Sequence, residues 1–158
     1  MNVKVTSPGP APQSDIAELE RAIGRPLPPQ FAAFVSQHDG ATPDDNVFRV
    51  GSANAAGVNR FIPVSQINAE RQSAGLPPGC IPVAWAEGGN LVILDADRAG
   101  SIYFWDHELP EDPIVIAADF SEFLKLLRPF VPPGETAPLP SGAKAWIDPE
   151  FLRKLKKR

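Results

Sequence analysis

The stretch that decides the fold is residues 80–108, CIPVAWAEGGNLVILDADRAGSIYFWDHE. Its connections, residues 87–89 and 96–100, contain glycines where a tight reversal requires a positive φ. Because a parallel return needs a dozen or more residues, such short connections predict antiparallel neighbours. The strands of this predicted meander are three runs rich in β-branched and aromatic residues: 81–86, 90–95 and 101–106.

Two helices are predicted before the meander. The first starts at Ser14 or at Asp15, which has the spacing of a capping residue, and it ends at Gly24. The second begins near residues 28–29, because proline is well tolerated in the first turn of a helix, and ends at residues 39–40.

The remaining segments give shorter signals. Residues 51–59, GSANAAGVN, have the small side chains of a surface loop that contributes nothing to a core. Ser65 and Asp119 are the expected N-caps of two further helices. Strands or extended stretches are expected at residues 47–50, 61–64 and 114–118.

This order of elements indicates an α+β domain with a mostly antiparallel sheet of about five to six strands flanked by helices. The domain is predicted to span residues 14–128. Residues 1–13 are expected to form a flexible lead-in, with Val3 and Val5 able to pair as a short edge strand. Residues 129–158 are expected to form a proline-rich linker and a short basic helix.

Composition narrows the classes of function. The net charge of −4 over 158 residues gives no signature of nucleic-acid or anionic-membrane binding. We expect no membrane span and no signal peptide, because no apolar run has the required length. The single cysteine, Cys80, excludes an internal disulfide and fits a reducing compartment, so a cytoplasmic location is predicted.

Candidates for catalysis are few. A cysteine–histidine nucleophile pair would have to use Cys80 with His38 or His107, and nothing near Cys80 in the sequence would activate a thiolate. Residues 87–90, EGGN, lack the lysine and the following helix of a phosphate-binding loop. The sequence therefore predicts no enzyme activity and no cofactor.

A calcium loop is the one metal site that the spacing suggests. Residues 95–106 place acidic residues at the first, third and twelfth positions of an EF-hand-like loop. The fifth position is Ala99, which has no side-chain oxygen, and the flanking segments are strands rather than helices. A hairpin turn with solvated acids is the expected structure, and no metal is predicted.

Acidic clustering is the most informative charge pattern. Arg98 is the only lysine or arginine between residues 87 and 122. Several acids of this region lie at predicted strand ends, so we expect them to gather on one rim of the sheet and attract a basic partner. Asp119 and Glu122 are the exceptions, because capping is their expected role. The nine acids are Glu87, Asp95, Asp97, Asp106, Glu108, Glu111, Asp112, Asp119 and Glu122.

Trp105 adds an aromatic group to this region. It shares one face of its strand with Tyr103 by the period of two, which fits either core packing or an exposed interface anchor. The residues expected to contact a partner are Glu87, Asp95, Asp97, Trp105, Asp106, Glu108, Glu111 and Asp112.

Four stretches in a fixed order resemble a known family. They are residues 16–20, residues 27–34 leading to residues 39–40, residues 81–84 with 88–95 and 101–108, and residues 119–124. Over about residues 16–127 they are similar to the SUKH superfamily, which includes the yeast cell-wall-assembly regulator and many bacterial toxin-immunity proteins. The chain departs from the family pattern at Asp39, where asparagine is usual, and the resemblance does not cover the tail.

The resemblance implies a SUKH-like α+β domain without catalytic residues. Bacterial relatives bind and neutralise a cognate toxin, often a nuclease, so the expected partner is a protein toxin with a basic cleft that carboxylates and Trp105 would occlude. The alternative is a regulatory or scaffolding domain that binds a host protein with help from its proline-rich tail. Neither reading involves nucleic acid or membrane, and both leave the oligomeric state open.

Overall fold

The computed structural model describes residues 3–52 and 54–132. These residues form an α+β domain, as predicted. Its elements are β1 (Val5–Thr6), α1 (Gln13–Ile23), α2 (Pro29–His38), β2 (Thr42–Pro43), β3 (Val47–Val50), β4 (Asn54–Phe61), α3 (Val64–Ser73), β5 (Cys80–Ala86), β6 (Leu91–Asp95), β7 (Ser101–Trp105), β8 (Ile114–Ala117) and α4 (Phe120–Leu126).

Six of the strands form one antiparallel sheet in which β3 to β8 are neighbours in sequence order. The predicted meander is its centre, because β5, β6 and β7 pair consecutively. A backbone bridge lies outside the named strands, where the N–H of Arg128 donates to the carbonyl of Val47 at 2.8 Å and the reverse bond measures 3.0 Å. This bridge brings the chain after α4 to the edge strand β3.

Aromatic rings join the helices to one face of the sheet. Phe120 on α4 is 1% exposed, and its ring centroid lies 5.2 Å from both Phe31 and Phe34 on α2. It also lies 6.1 Å from Phe61 on β4. Edge-to-face contacts of this kind add to the free energy gained from burying the rings, so this cluster fixes the sheet against α2 and α4.

The predicted helix starts hold for two helices and fail for two. Proline begins α2, and the Asp119 carboxylate caps α4 by accepting the Glu122 N–H at 2.8 Å, both as predicted. Helix α1 begins one residue before Ser14 without any side-chain cap, because the carbonyl of Pro12 accepts the Asp15 N–H instead. Helix α3 begins at Val64 rather than after Ser65.

The prediction of a small-residue loop at residues 51–59 is wrong, because Asn54–Phe61 is strand β4. This strand pairs with β3 on one side and with β5 on the other. Its small residues suit a crowded position: a Cβ at Gly57 would lie 2.6 Å from the carboxylate oxygen of Glu87. Pairing on both sides therefore overrides the weak strand propensity of alanine and glycine.

The predicted flexible lead-in is bound to the domain over its described part. Strand β1 pairs with β2, so the suggested edge pairing near Val5 is present. Farther along, the N–H of Ala11 donates to the carbonyl of Val35 at 2.9 Å, and Ala11 is buried. The predicted linker and basic helix lie outside the described residues from residue 133 onward.

Candidate functional site

The acids predicted to form one rim divide between the two ends of the meander. Leu91 pairs with Trp105 at one end of β6, and Asp95 pairs with Ser101 at the other. Four residue steps of about 3.4 Å separate these ends by about 14 Å. The expectation of a single rim is therefore wrong. The reason is topological, because each antiparallel hairpin returns the chain to the opposite end.

Arg25 and Arg98 accompany the two acids at the far end. The guanidinium of Arg25 lies 2.7 Å from the carboxylate of Asp97, and that of Arg98 lies 3.8 Å from Asp95. The Asp95 carboxylate also accepts the Asp97 N–H at 3.0 Å, which stabilises the turn of Ala96–Arg98. Asp95 and Asp97 thus have partners inside the molecule and do not join the other acids.

The other predicted acids lie at the opposite end, which we call the acidic end. Glu87 follows β5, Asp106 and Glu108 follow β7, and Glu111 with Asp112 precedes β8. Within the described residues, none of these five carboxylates lies within 4.0 Å of a lysine or arginine nitrogen. In the part of the chain that the structure describes, the acidic end therefore presents negative charge without a lysine or arginine partner.

Within residues 3–52 and 54–132, His107 is the only basic side chain within 4.0 Å of one of these carboxylates. Its hydrogen bonds indicate a structural role. Its Nδ1 lies 2.8 Å from Asn90 Oδ1 and 4.0 Å from the Asp106 carboxylate. The same Asn90 oxygen accepts the His107 backbone N–H at 3.2 Å. These bonds hold the loop after β7 against the start of β6, and so fix the position of Asp106.

A row of aromatic and aliphatic side chains borders the acidic end. Trp85 pairs with Leu91, and Leu91 pairs with Trp105, so the three side chains lie next to one another on the same sheet face. Leu91 is buried, whereas both tryptophans are only partly buried. Trp105 therefore packs against the core and keeps an exposed part, which fits both roles that its sequence left open.

The sequence reasoning missed Trp85 as part of this surface, and it missed two acids whose neighbour Asn46 lies beside β4 near Glu87. Trp85 was assigned to a strand, but only the register of the hairpin places it beside Leu91. Asp44 and Asp45 lie about forty residues before Glu87 in the chain. The following Asn46 accepts the Val58 N–H at 2.8 Å, next to where β4 passes Glu87. The pairing of β4, itself mispredicted, was the signal needed to find these acids.

Cys80 and the histidines do not form a nucleophile pair. Cys80 pairs with Asp95 at the far end of the meander, while His107 lies at the acidic end. The ring of His38 contacts Phe34 at a centroid distance of 5.5 Å. Burial, and then the charges of Asp95 and Asp97, raise the pKa of the Cys80 thiol against the opposing effect of Arg98. A raised pKa disfavours the reactive thiolate.

Residues 95–106 have the geometry of a β-hairpin. The turn of Ala96–Arg98 joins β6 directly to β7. Among the described residues, no group of three or more histidine, cysteine, aspartate or glutamate side chains is arranged to hold a metal ion. In the same part of the chain, no helix has the length and apolar character that a membrane crossing requires.

Comparison with known proteins adds a family and one partial relative. The sequence model of the SMI1 / KNR4 family (SUKH-1) matches residues 10–126 of the chain. The SPbeta prophage-derived uncharacterized protein YokK of Bacillus subtilis (strain 168) is 45% identical over 51 residues. That alignment covers 30% of this chain and 26% of YokK, so the chain matches about a quarter of that relative's length.

Proposed function

The chain belongs to the SMI1 / KNR4 family, and from this premise we propose that it is a non-catalytic protein-binding module of the immunity type. Its partner is a toxin with a basic surface, and binding neutralises the toxin by covering that surface. A prophage-derived relative is consistent with a bacterial setting for such a pair. We propose that binding takes place in the cytoplasm.

The observation that carries this proposal is a set of carboxylates beside an aromatic row that, within residues 3–52 and 54–132, have no lysine or arginine partner. In the described part of the chain, Glu87, Asp106 and Glu108 have no lysine or arginine partner, and Trp105 lies next to Asp106 with an exposed part. Unpaired carboxylates attract a basic protein at long range and accelerate its encounter. A partly exposed tryptophan then supplies contact area of the kind found at binding hot spots.

The mechanism requires no chemical step. A nuclease binds nucleic acid through lysines and arginines that contact phosphates, and carboxylates can occupy the same positions. The acids of the acidic end lie on turns held by short hydrogen bonds, such as the Glu108 N–H to Asp106 carboxylate bond of 2.9 Å. Turns fixed in this way lose little conformational entropy on binding, which favours tight occlusion of a cleft.

The test is rescue of growth in a bacterium that expresses the protein encoded by the reading frame next to the gene of this chain, where we expect the toxin to be encoded. We expect co-expression of the chain to restore growth. The triple variant Glu87→Lys, Asp106→Lys and Glu108→Lys should lose this protection, because it replaces three attractive interactions with repulsive ones. Protein levels and circular dichroism of the variant must match those of the parent.

A matched control variant reverses the same number of acids at a different place on the protein. Asp15→Lys, Glu18→Lys and Glu70→Lys make the same reversal on helices α1 and α3, and rescue should be retained. If the control variant loses rescue and the acidic-end variant keeps it, the proposed surface is wrong. If removing residues 133–158 alone abolishes binding, the tail-dependent scaffolding role is favoured instead.

A further inference from the structure

A groove lies between the two edge strands of the large sheet. Strand β3 forms one wall and β8 the other, and the backbone bridge between Val47 and Arg128 lies along it. The groove has a volume of about 560 Å³, and Val115 and Leu126 are among its lining residues. These two side chains are 60% and 38% exposed, so its apolar walls are open to solvent.

Two of the exposed large apolar side chains of the described residues, Val115 and Leu126, line this groove. Among the described residues, all exposed large hydrophobic side chains lie between residues 109 and 131. The described residues before Leu109 contribute none. Contiguous exposed apolar groups on a sheet edge mark an interaction surface. The group consists of Leu109, Ile114, Val115, Leu126, Phe130 and Val131.

Charge divides the chain into two unlike parts. Residues 1–132 contain nine lysines and arginines and sixteen acids, a net charge of −7. Residues 133–158 contain six lysines and arginines and three acids, a net charge of +3. In the chain, the acidic pair Asp44 and Asp45 comes shortly before β3, and the pair Glu111 and Asp112 comes shortly before β8. Arg49 and Arg128, which both line the groove, are the opposing positive charges.

We propose that the groove binds the C-terminal segment of the same chain, residues 146–158, WIDPEFLRKLKKR. This segment carries Phe151, Leu152 and Leu155 at helical spacing, together with five lysines and arginines. Its apolar side chains match the apolar walls formed by Val115 and Leu126, and its net positive charge opposes the net negative charge of residues 1–132. This contact would form within one chain, and it is independent of the proposed binding of a toxin.

Chain connectivity makes this occupant the favoured one. The described chain ends at Pro132, four residues after Arg128, which lines the groove. The intervening residues 133–145 span up to about 45 Å when extended. A tether of this length keeps the segment at an effective concentration in the millimolar range. A short helix that is marginal alone in water would thereby gain a stabilising surface.

Disulfide trapping in the full chain tests the proposal. With Cys80→Ser as background, Val115→Cys is combined with Leu152→Cys, and Glu18→Cys with Leu152→Cys serves as the control on the exposed side of α1. We expect an intrachain disulfide to form about tenfold faster in the first protein at micromolar concentration. Equal rates in the two proteins would overturn the proposal. A disulfide found only between chains would also overturn it and point to a second copy.

Hydrogen exchange gives an independent readout without new cysteines. In the full chain, the variant Phe151→Ser, Leu152→Ser and Leu155→Ser should exchange the amides of β8 about tenfold faster than the parent. The amides of β6 at the centre of the sheet serve as the internal reference and should not change. Unchanged exchange in β8 would show that the segment lies elsewhere.

Discussion

The Asp39 carboxylate accepts a hydrogen bond of 2.8 Å from the backbone N–H of Val64. Asp39 directly follows α2, and Val64 is the first residue of α3, so one side chain joins two helices. The first N–H groups of a helix have no partner within the helix. Asp39 therefore supplies to α3 the cap that its own preceding residue, Pro63, cannot provide.

Removing this cap should destabilise the fold. We expect Asp39→Ala to lower the free energy of unfolding by about 1 kcal/mol, the usual cost of a lost N-cap. Asp39→Asn keeps an oxygen acceptor and should cost less. Urea denaturation followed by circular dichroism measures both. Asp15→Ala is the control, because Asp15 makes no capping bond, and its change should stay within about 0.5 kcal/mol.

Asp39 also illustrates what a sequence can and cannot predict. The composition of residues 81–106 and their short glycine-containing turns predict three strands. The observed strand ends differ from the predicted ends by at most one residue. Capping at α4 is equally local, because Asp119 lies three residues before its partner Glu122. The cap of α3 comes from 25 residues earlier in the chain, and no local pattern marks such a bond.

The candidate site, too, could be predicted only as far as its features are local in sequence. Each acid of the acidic end is visible in the sequence, but its location depends on strand register and direction. Asp97 was grouped with Glu87 because both lie at turns, yet the antiparallel order places those turns at opposite ends. Asp97 also meets Arg25, 72 residues away in sequence, and only the tertiary fold creates that ion pair.

Phe120 should be the most sensitive aromatic position of the core. It is 1% exposed and contacts rings from α2, β4 and α4, so its loss leaves a cavity that several elements share. We expect Phe120→Ala to lower the free energy of unfolding by about 3–5 kcal/mol in urea denaturation. Leu109→Ala is the control: this side chain is 54% exposed, and its truncation should change stability by less than about 0.5 kcal/mol. Similar losses in both variants would contradict the proposed packing.

Gly79 and Asp97 should show coupled effects on stability. A Cβ at position 79 would collide with the Asp97 carboxylate, which is also the partner of Arg25. Gly79→Ala should displace that flexible side chain and cost up to about 1 kcal/mol, the value of an exposed ion pair. In an Asp97→Ala background the same substitution should cost almost nothing. A double-mutant cycle in urea measures the coupling, and strict additivity would disprove the contact.

Cys80 should react slowly with alkylating reagents. Burial, followed by the charges of Asp95 and Asp97, raises the pKa of its thiol, so the thiolate is scarcer than for an exposed cysteine. The rate of carboxamidomethylation by iodoacetamide should therefore rise only at a pH above that of a model thiol. Asp95→Asn removes one raising charge and should shift the rate profile to lower pH. A profile that matches free cysteine would contradict the raised pKa.

The same raised pKa should make stability pH-dependent in the alkaline range. Because the native thiol holds its proton more tightly than the unfolded one, the stabilisation is complete below the unfolded pKa. It should decline as the pH rises from the unfolded pKa through the native pKa. Guanidinium denaturation at several alkaline pH values measures this slope. Cys80→Ser should lack the thiol's contribution, and an unchanged slope would exclude Cys80 as its source.

Association with the proposed basic partner should depend on salt through the acidic end. Reversing Glu87, Asp106 and Glu108 to lysine should slow association by tenfold or more at low salt, as measured by stopped-flow fluorescence. The difference should shrink near 1 M salt, where the screening length falls to about 3 Å. Dissociation should change less, because long-range charge acts mainly on encounter.

The reversal of Asp15, Glu18 and Glu70 separates local from global electrostatics in this measurement. It changes the net charge by the same amount at residues of α1 and α3 that are not part of the acidic end. If net charge alone governed encounter, both triple variants would slow association equally at low salt. We expect the control to retain most of the parent rate, because steering is strongest for charges near the contact surface. An association rate of the parent that is independent of salt would remove the role assigned to these carboxylates.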